Sequence, residues 1–183
     1  MNFIPTNALG CYSIEPKIIY DERGYFMESF NEKSFQEGIG QNVHFVQDNQ
    51  SFSSKGVLRG LHYQTGEYAQ AKLVSVSQGE VLDIAVDIRT GSATYGEKVC
   101  ILLSGENKKQ LFIPRGFAHG FVVLSETATF FYKCDNFYNK ESEAGILYND
   151  PELNIDWQFP MSEVLVSDKD KVLPTLKNAK KAW

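Results

Sequence analysis

From Leu73 to Lys133 the chain reads as one short strand after another, and this spacing restricts the fold more than any other feature. Leu73–Ser77 is followed, after Gln78-Gly79, by Val81–Arg89, where Val81, Ile84, Val86 and Ile88 nearly alternate with Asp83, Asp87 and Arg89. Lys98–Leu103 runs into a Ser104-Gly105-Glu106-Asn107 turn, Gln110–Ile113 leads into Pro114, and Gly120–Ser125 and Ala128–Lys133 complete the series. Strands this short, parted by Gly, Asn and Ser turns at near-even intervals, predict an antiparallel sandwich or barrel. Helix signals are few. Asn31–Glu37 predicts a short helix stopping at Gly38, and the Lys-, Leu- and Ala-containing tail is broken by Pro174. No repeat, low-complexity tract or linker interrupts the chain. The expectation is one domain over residues 1–183, with a core barrel over about 43–135 and a C-terminal helical segment over about 168–183.

A net charge of -5 argues against a general polyanion surface, while leaving room for a local arginine cluster to hold one phosphate group. Cys11, Cys100 and Cys134 are odd in number and lack metal-type spacing, so reduced, mostly packed thiols are expected. Met1-Asn2-Phe3-Ile4-Pro5 shows no basic region ahead of a long apolar stretch, and no apolar run has membrane-spanning length. These features predict a soluble, cytoplasmic protein with neither nucleic acid nor membrane as partner.

Of the three histidines, two sit in phrases rich in glycine and arginine. They are Gly56-Val57-Leu58-Arg59-Gly60-Leu61-His62-Tyr63-Gln64 and Pro114-Arg115-Gly116-Phe117-Ala118-His119-Gly120-Phe121. Both border strand-like runs, and a glycine-permitted bend followed by an inward polar side chain is how a barrel wall builds a pocket. In outline the two phrases resemble the cupin pattern of His-x-His, a nearby glutamate and a later Pro-x-Gly-x-x-His. That resemblance implies an all-β, cupin-like double-stranded β-helix, a jelly-roll barrel with a few short peripheral helices. The departure is Gln64, which stands where the second metal-binding histidine would be, and a neutral amide is a poor substitute for imidazole. A facial triad of His62, His119 and Glu67 is the metal-binding alternative. Loss of the usual ligand set favours acid–base chemistry with no metal and no cofactor, a task suited to imidazole.

Other phrases supply the remaining parts. Asp21–Glu28 places Arg23 at a turn beside aromatics, and Gln47–Ser51 offers neutral hydrogen-bonding side chains along an extended segment. Lys72 opens an apolar strand, an expensive position for a charge unless something anionic needs it. Tyr132 lies on an aromatic strand, and Ser167-Asp168-Lys169-Asp170 ends the series with two carboxylates. In these phrases, in Gln70-Ala71-Lys72-Leu73-Val74 and in Leu147–Trp157, the chain resembles the dTDP-4-dehydrorhamnose 3,5-epimerase family over nearly its whole length.

The resemblance implies an isomerase acting on dTDP-4-dehydro-6-deoxy-D-glucose. The C4 ketone acidifies the hydrogens at C3 and C5; removing one gives an enolate, and reprotonation on the opposite face inverts the centre. By resemblance His62 is the base, Tyr132 the opposing acid, Lys72 the group that stabilises the enolate oxygen, and Asp170 the carboxylate that orients His62. Asp168 takes the variable, solvated place. Arg23 and Arg59 are implied diphosphate contacts. Phe26, Glu28, Gln47, Asn49 and Tyr138 surround the nucleotide and sugar, with Tyr138 stacking on thymine. His119 contacts the sugar or supports the pocket, the alternative being a packed structural histidine. Trp157 lines the pocket or anchors the C-terminal segment, and His44 is incidental. The family is homodimeric, with N-terminal strands exchanged so that each pocket borrows Arg23 and Phe26, and it supplies L-rhamnose for cell-surface polysaccharides. Three rivals stand beside this reading: a relative acting at C3 or C5 alone or on another carrier such as GDP, a metal-dependent cupin enzyme, and a non-catalytic sugar-binding module.

Overall fold

Side-chain parity along the strands sorts the chain into layers. A computed structural model describes residues 1–182. One six-stranded sheet runs β1 (Asn2–Pro5), β2 (Tyr12–Glu15), β10 (Gln110–Ile113), β7 (Lys72–Gln78), β12 (Thr127–Cys134), β5 (Gln47–Ser54). The other runs β13 (Glu143–Gly145), β6 (Val57–Gln64), β11 (Phe117–Val123), β8 (Glu80–Asp87), β9 (Lys98–Ser104), with β14 (Leu165–Val166) parallel to β6. The two sheets face each other as a jelly roll of the cupin type. A separate hairpin, β3 (Ile18–Asp21) and β4 (Gly24–Met27), belongs to neither.

Alternate residues fill the space between the sheets: Val74 and Val76 of β7, Val81 and Ala85 of β8, Leu111 and Ile113 of β10, Phe121 of β11 and Phe130 of β12. Phe121 and Phe130 stack across the gap with centroids 4.2 Å apart. The opposite faces are covered too. Leu73 and Phe112 pack under Phe35 and Ile39 of helix α1 (Glu32–Ile39), while Leu82, Ile84 and Val86 meet Leu153, Trp157 and Ala182 of the C-terminal segment. Central strands covered on both faces explain why Asp83 and Asp87, which the alternation pattern sets between apolar residues, are fully buried.

Each strand expected between Leu73 and Lys133 is present. β11 begins at Phe117 rather than Gly120, which brings His119 into the sheet. Helix α1 continues past the expected stop at Gly38. A Cβ there would come within 2.2 Å of the Phe3 ring, so this glycine serves packing, and Gly40, at φ 67°, ends the helix. The tail departs further from expectation. It holds only one helical turn, α2 (Asp168–Lys171), and a 3-10 turn at Leu176–Asn178, separated by Pro174; Trp183 lies outside the described residues. Cys11 and Cys134 are buried, Cys100 is exposed, and all three are free thiols. No helix among the described residues is long and apolar enough to cross a membrane.

Candidate active site

Between the sheets lies a cleft with two adjoining lobes, of about 470 and 320 Å³, which share Asn49, His62, Lys72 and Tyr132. Arg59, His119 and Asp170 line the larger lobe, and Gln47, Tyr138 and Glu143 the smaller.

A bulge in β6 makes this gathering possible. Arg59 and His62, three positions apart, would lie on opposite faces of a regular strand. Here Phe121 pairs with Arg59 but His119 with His62, so β6 carries an extra residue against β11 and its alternation switches at Gly60. Both side chains therefore reach the same cleft. Only glycine fits the crossing: at Gly60 (φ +119°) a Cβ would come within 2.6 Å of Gly120 Cα, and at Gly120 within 2.6 Å of the Arg59 carbonyl.

His62 is oriented from behind. Its Nε2 lies 2.7 Å from Oδ1 of Asp170, whose Oδ2 accepts from the Gly60 N–H at 3.3 Å. Asp170 is 3% exposed, whereas Asp168, two residues earlier, is solvated beside Lys171. Ser167 caps the turn by accepting from the Asp170 N–H at 3.1 Å. Burial alone would raise the Asp170 pKa, but the hydrogen bond and charge of His62, then the Gly60 N–H and Ser167, hold it below the ordinary carboxylate value. The other ring nitrogen of His62 is left for a ligand.

Tyr132 approaches from the opposite sheet. Phe130, Tyr132 and Cys134 share the inward face of β12, so the position after the Phe130 stack delivers a phenol to the cleft. Burial and the neighbouring Cys134 push its pKa above the ordinary tyrosine value, with Arg59 opposing, so the group is a protonated donor. Lys72 Nζ sits 6.0 Å from the Tyr132 ring centroid. Desolvation lowers the Lys72 pKa, partly offset by Cys134, Asp83 and Glu143, and no hydrogen bond or ion pair engages its ammonium among the described residues. An unpaired cation beside a phenol and an imidazole is an arrangement ready for an anionic or ketonic oxygen.

The remaining expected residues do not all reach the cleft. Arg59 is steered by Ser53, whose Oγ accepts from Nε and Nη2 at 3.2 Å each. Gln47 and Asn49 bond each other at 3.0 Å, Gln47 also accepts from the Tyr138 N–H, and the Tyr138 hydroxyl donates to Glu143 at 3.1 Å. Arg23, Phe26 and Glu28 are absent from the cleft lining. Arg23 pairs with Asp21 on the exposed hairpin, Phe26 is 69% exposed, and Glu28 accepts from Asn31. Gln64 borders the smaller lobe, but its amide donates to the Tyr68 and Phe137 carbonyls and accepts from the Asn139 N–H, tying down loops. Glu67 stands on an exposed turn outside both lobes. Trp157 is buried away from the cleft and donates to the Tyr148 carbonyl, which leaves it the anchoring role; His44 is exposed beside Glu32.

Sequence reasoning missed Asp83, whose Oδ2 lies 2.9 Å from His119 Nε2, and the Lys169–Glu143 ion pair at 2.6 Å beside the cleft. Strand parity puts Asp83 on one face with Val81 and Ala85 but does not mark that face as inward, because both faces of β8 are buried. The Glu143 pairing has no local signal, because it depends on β13 docking against β6.

Fold and site together define a jelly-roll protein of the cupin type whose cleft brings an imidazole and a phenol together from facing sheets. The family profile for dTDP-4-dehydrorhamnose 3,5-epimerase matches residues 5–178. The dTDP-4-dehydrorhamnose 3,5-epimerase of Shigella flexneri is 58% identical over 170 residues, covering 93% of each chain. The crystal structure of the Elizabethkingia anophelis NUHP1 enzyme of that name superposes with a TM-score of 0.95 at 57% identity, covering 97% of each chain. A Legionella pneumophila Philadelphia 1 epimerase, solved in complex with dTDP-4-keto-L-rhamnose, gives a TM-score of 0.93 at 54% identity, covering 97% of this chain and 93% of its own. The chain belongs to the dTDP-4-dehydrorhamnose 3,5-epimerase family.

Proposed function

We propose that this chain converts dTDP-4-dehydro-6-deoxy-D-glucose to dTDP-4-dehydro-L-rhamnose by inverting C3 and C5 through enolates, with no metal in the proton transfers. The observation that carries this reading is the placement of His62, backed by Asp170, on one sheet and Tyr132 on the other, both lining one cleft. His62 takes the proton from a carbon beside the C4 ketone, and the C–H electrons move into the enolate, whose oxygen rests on the Lys72 ammonium. Tyr132 returns a proton to the opposite face, the phenolate recovers one from solvent, and the imidazolium gives its proton up to solvent. Asp170 holds the imidazole and balances its transient charge. Arg59 takes a diphosphate oxygen, and Gln47, Asn49, His119 and Tyr138 hold the nucleotide and sugar. Reaction on a nucleotide-carried sugar fits the cytoplasmic setting expected from the sequence.

Offered the 4-keto-6-deoxyglucose on dTDP and on GDP at equal concentration, the protein is expected to favour the thymidine form by at least ~10-fold in kcat/KM. NMR of the product identifies the configuration at each centre. Equal use of the GDP form would remove thymidine from the proposal, and inversion at one carbon alone would reduce it to a mono-epimerase.

The second copy of the chain supplies what the cleft lacks. The β3–β4 hairpin exposes the cross-strand pair Ile19–Phe26 on one face and Tyr20–Tyr25 on the other, apolar surface suited to lie against a partner and to carry Arg23, Phe26 and Glu28 to the partner's cleft. Specific activity is therefore expected to fall as the dimer dissociates on dilution, tracked by sedimentation velocity. A fully active monomer would contradict the shared site.

A further inference from the structure

Asp83 is the buried carboxyl group that the proton transfers leave without a task. It lies on the inward face of β8 with Val81 and Ala85, fully buried, and does not itself line the cleft. A carboxylate there is costly unless it is matched by a donor. Its Oδ2 meets Nε2 of His119, which does line the cleft and packs against Phe130, while Oδ1 is buried with no hydrogen-bond partner. Such an oxygen adds nothing to the core by packing.

An ionised carboxylate can only accept, so the ring nitrogen facing it carries the proton. Burial lowers the His119 pKa, and Lys72 and His62 add to the lowering while Asp83 pulls the other way, so the surroundings favour the neutral ring. In a neutral ring with the proton on Nε2, Nδ1 is a bare acceptor. We propose that Asp83 is a positioning residue that locks His119 in the Nε2–H tautomer, so that Nδ1 accepts a hydrogen bond from a sugar hydroxyl. This rests on the cleft being a ketosugar site and adds an orientation rule to it. A bare nitrogen repels a ketone oxygen and welcomes an O–H, so the ketone is directed to Lys72 and a hydroxyl to His119. The hydroxyls at C2 and C3 are the donors such a sugar carries.

The tautomer can be read without substrate. Long-range proton–nitrogen NMR of the histidine-labelled protein near pH 7 is expected to show His119 protonated at Nε2 and bare at Nδ1. Asp83→Leu removes the acceptor but keeps an apolar side chain of similar size. In that variant the locked tautomer should give way to a mixture, and KM for the ketosugar should rise roughly tenfold with kcat within about twofold, the effect of one lost hydrogen bond. A wild-type His119 protonated at Nδ1, or a Leu variant with unchanged KM, overturns the proposal. The wild-type spectrum stands even if Asp83→Leu fails to fold. If the wild-type protein does not turn over the ketosugar, the functional reading fails while the tautomer assignment is tested on its own.

Discussion

His62→Ala is expected to bind dTDP as tightly as the unaltered protein and to turn over the ketosugar roughly 10³- to 10⁴-fold more slowly. The separation follows from where the groups sit. Arg59, Gln47 and Tyr138, which hold the nucleotide in the proposal, do not depend on the imidazole for their positions: Ser53 steers Arg59, and Gln47 accepts from the Tyr138 N–H. The reacting carbon, by contrast, loses its base. Asp170 does not take over, because it sits behind the position the ring occupied, 3% exposed and held by the Gly60 N–H. Its carboxylate keeps the bond from the Gly60 N–H, and its own N–H still donates to Ser167, but the carboxylate loses its main partner, so some loss of thermal stability is expected alongside. Calorimetric titration with dTDP, set beside initial rates, separates the two effects. Unaltered turnover would remove His62 from the mechanism.

Tyr132→Phe is expected to separate exchange from inversion. The phenol is a donor, held protonated by burial, on the sheet opposite His62. Without it the enolate still forms at His62 and still rests on Lys72, but the route to the far face is closed and the proton returns from the near one. In deuterated water the variant should exchange the acidic hydrogens within about tenfold of the wild-type rate, while net inversion falls roughly 10²- to 10³-fold. Mass and NMR analysis of recovered ketosugar measures both. Inversion at an undiminished rate, or exchange lost in step with inversion, would mean that Tyr132 is not the opposing acid.

The barrel was legible in the sequence because its strands alternate on a two-residue period between turn residues, and this period survives in β7 through β12. What pattern reading could not supply was the consequence of a break in that period. Arg59 and His62 reach one cleft only because β6 bulges at Gly60, and a bulge leaves no sign beyond a glycine that could equally mark a turn. The Asp170–His62 pair spans the sequence separation that only α2 docking beneath β6 closes; resemblance named it, and residue spacing alone did not. Asp83 was hidden for the opposite reason. It obeys the alternation, but alternation does not tell which face of a central strand meets water when neither does. Arg23, Phe26 and Glu28 lie outside the cleft of their own chain, and only the family resemblance, not residue pattern, tied them to a site.

The most direct test is to run the unaltered protein on dTDP-4-keto-6-deoxyglucose in deuterated water and follow C3 and C5 by NMR. A base on one sheet and a solvent-fed acid on the other require both carbons to appear inverted and deuterated. Inversion that retains the substrate's own hydrogen at either carbon would contradict proton transfer between two faces.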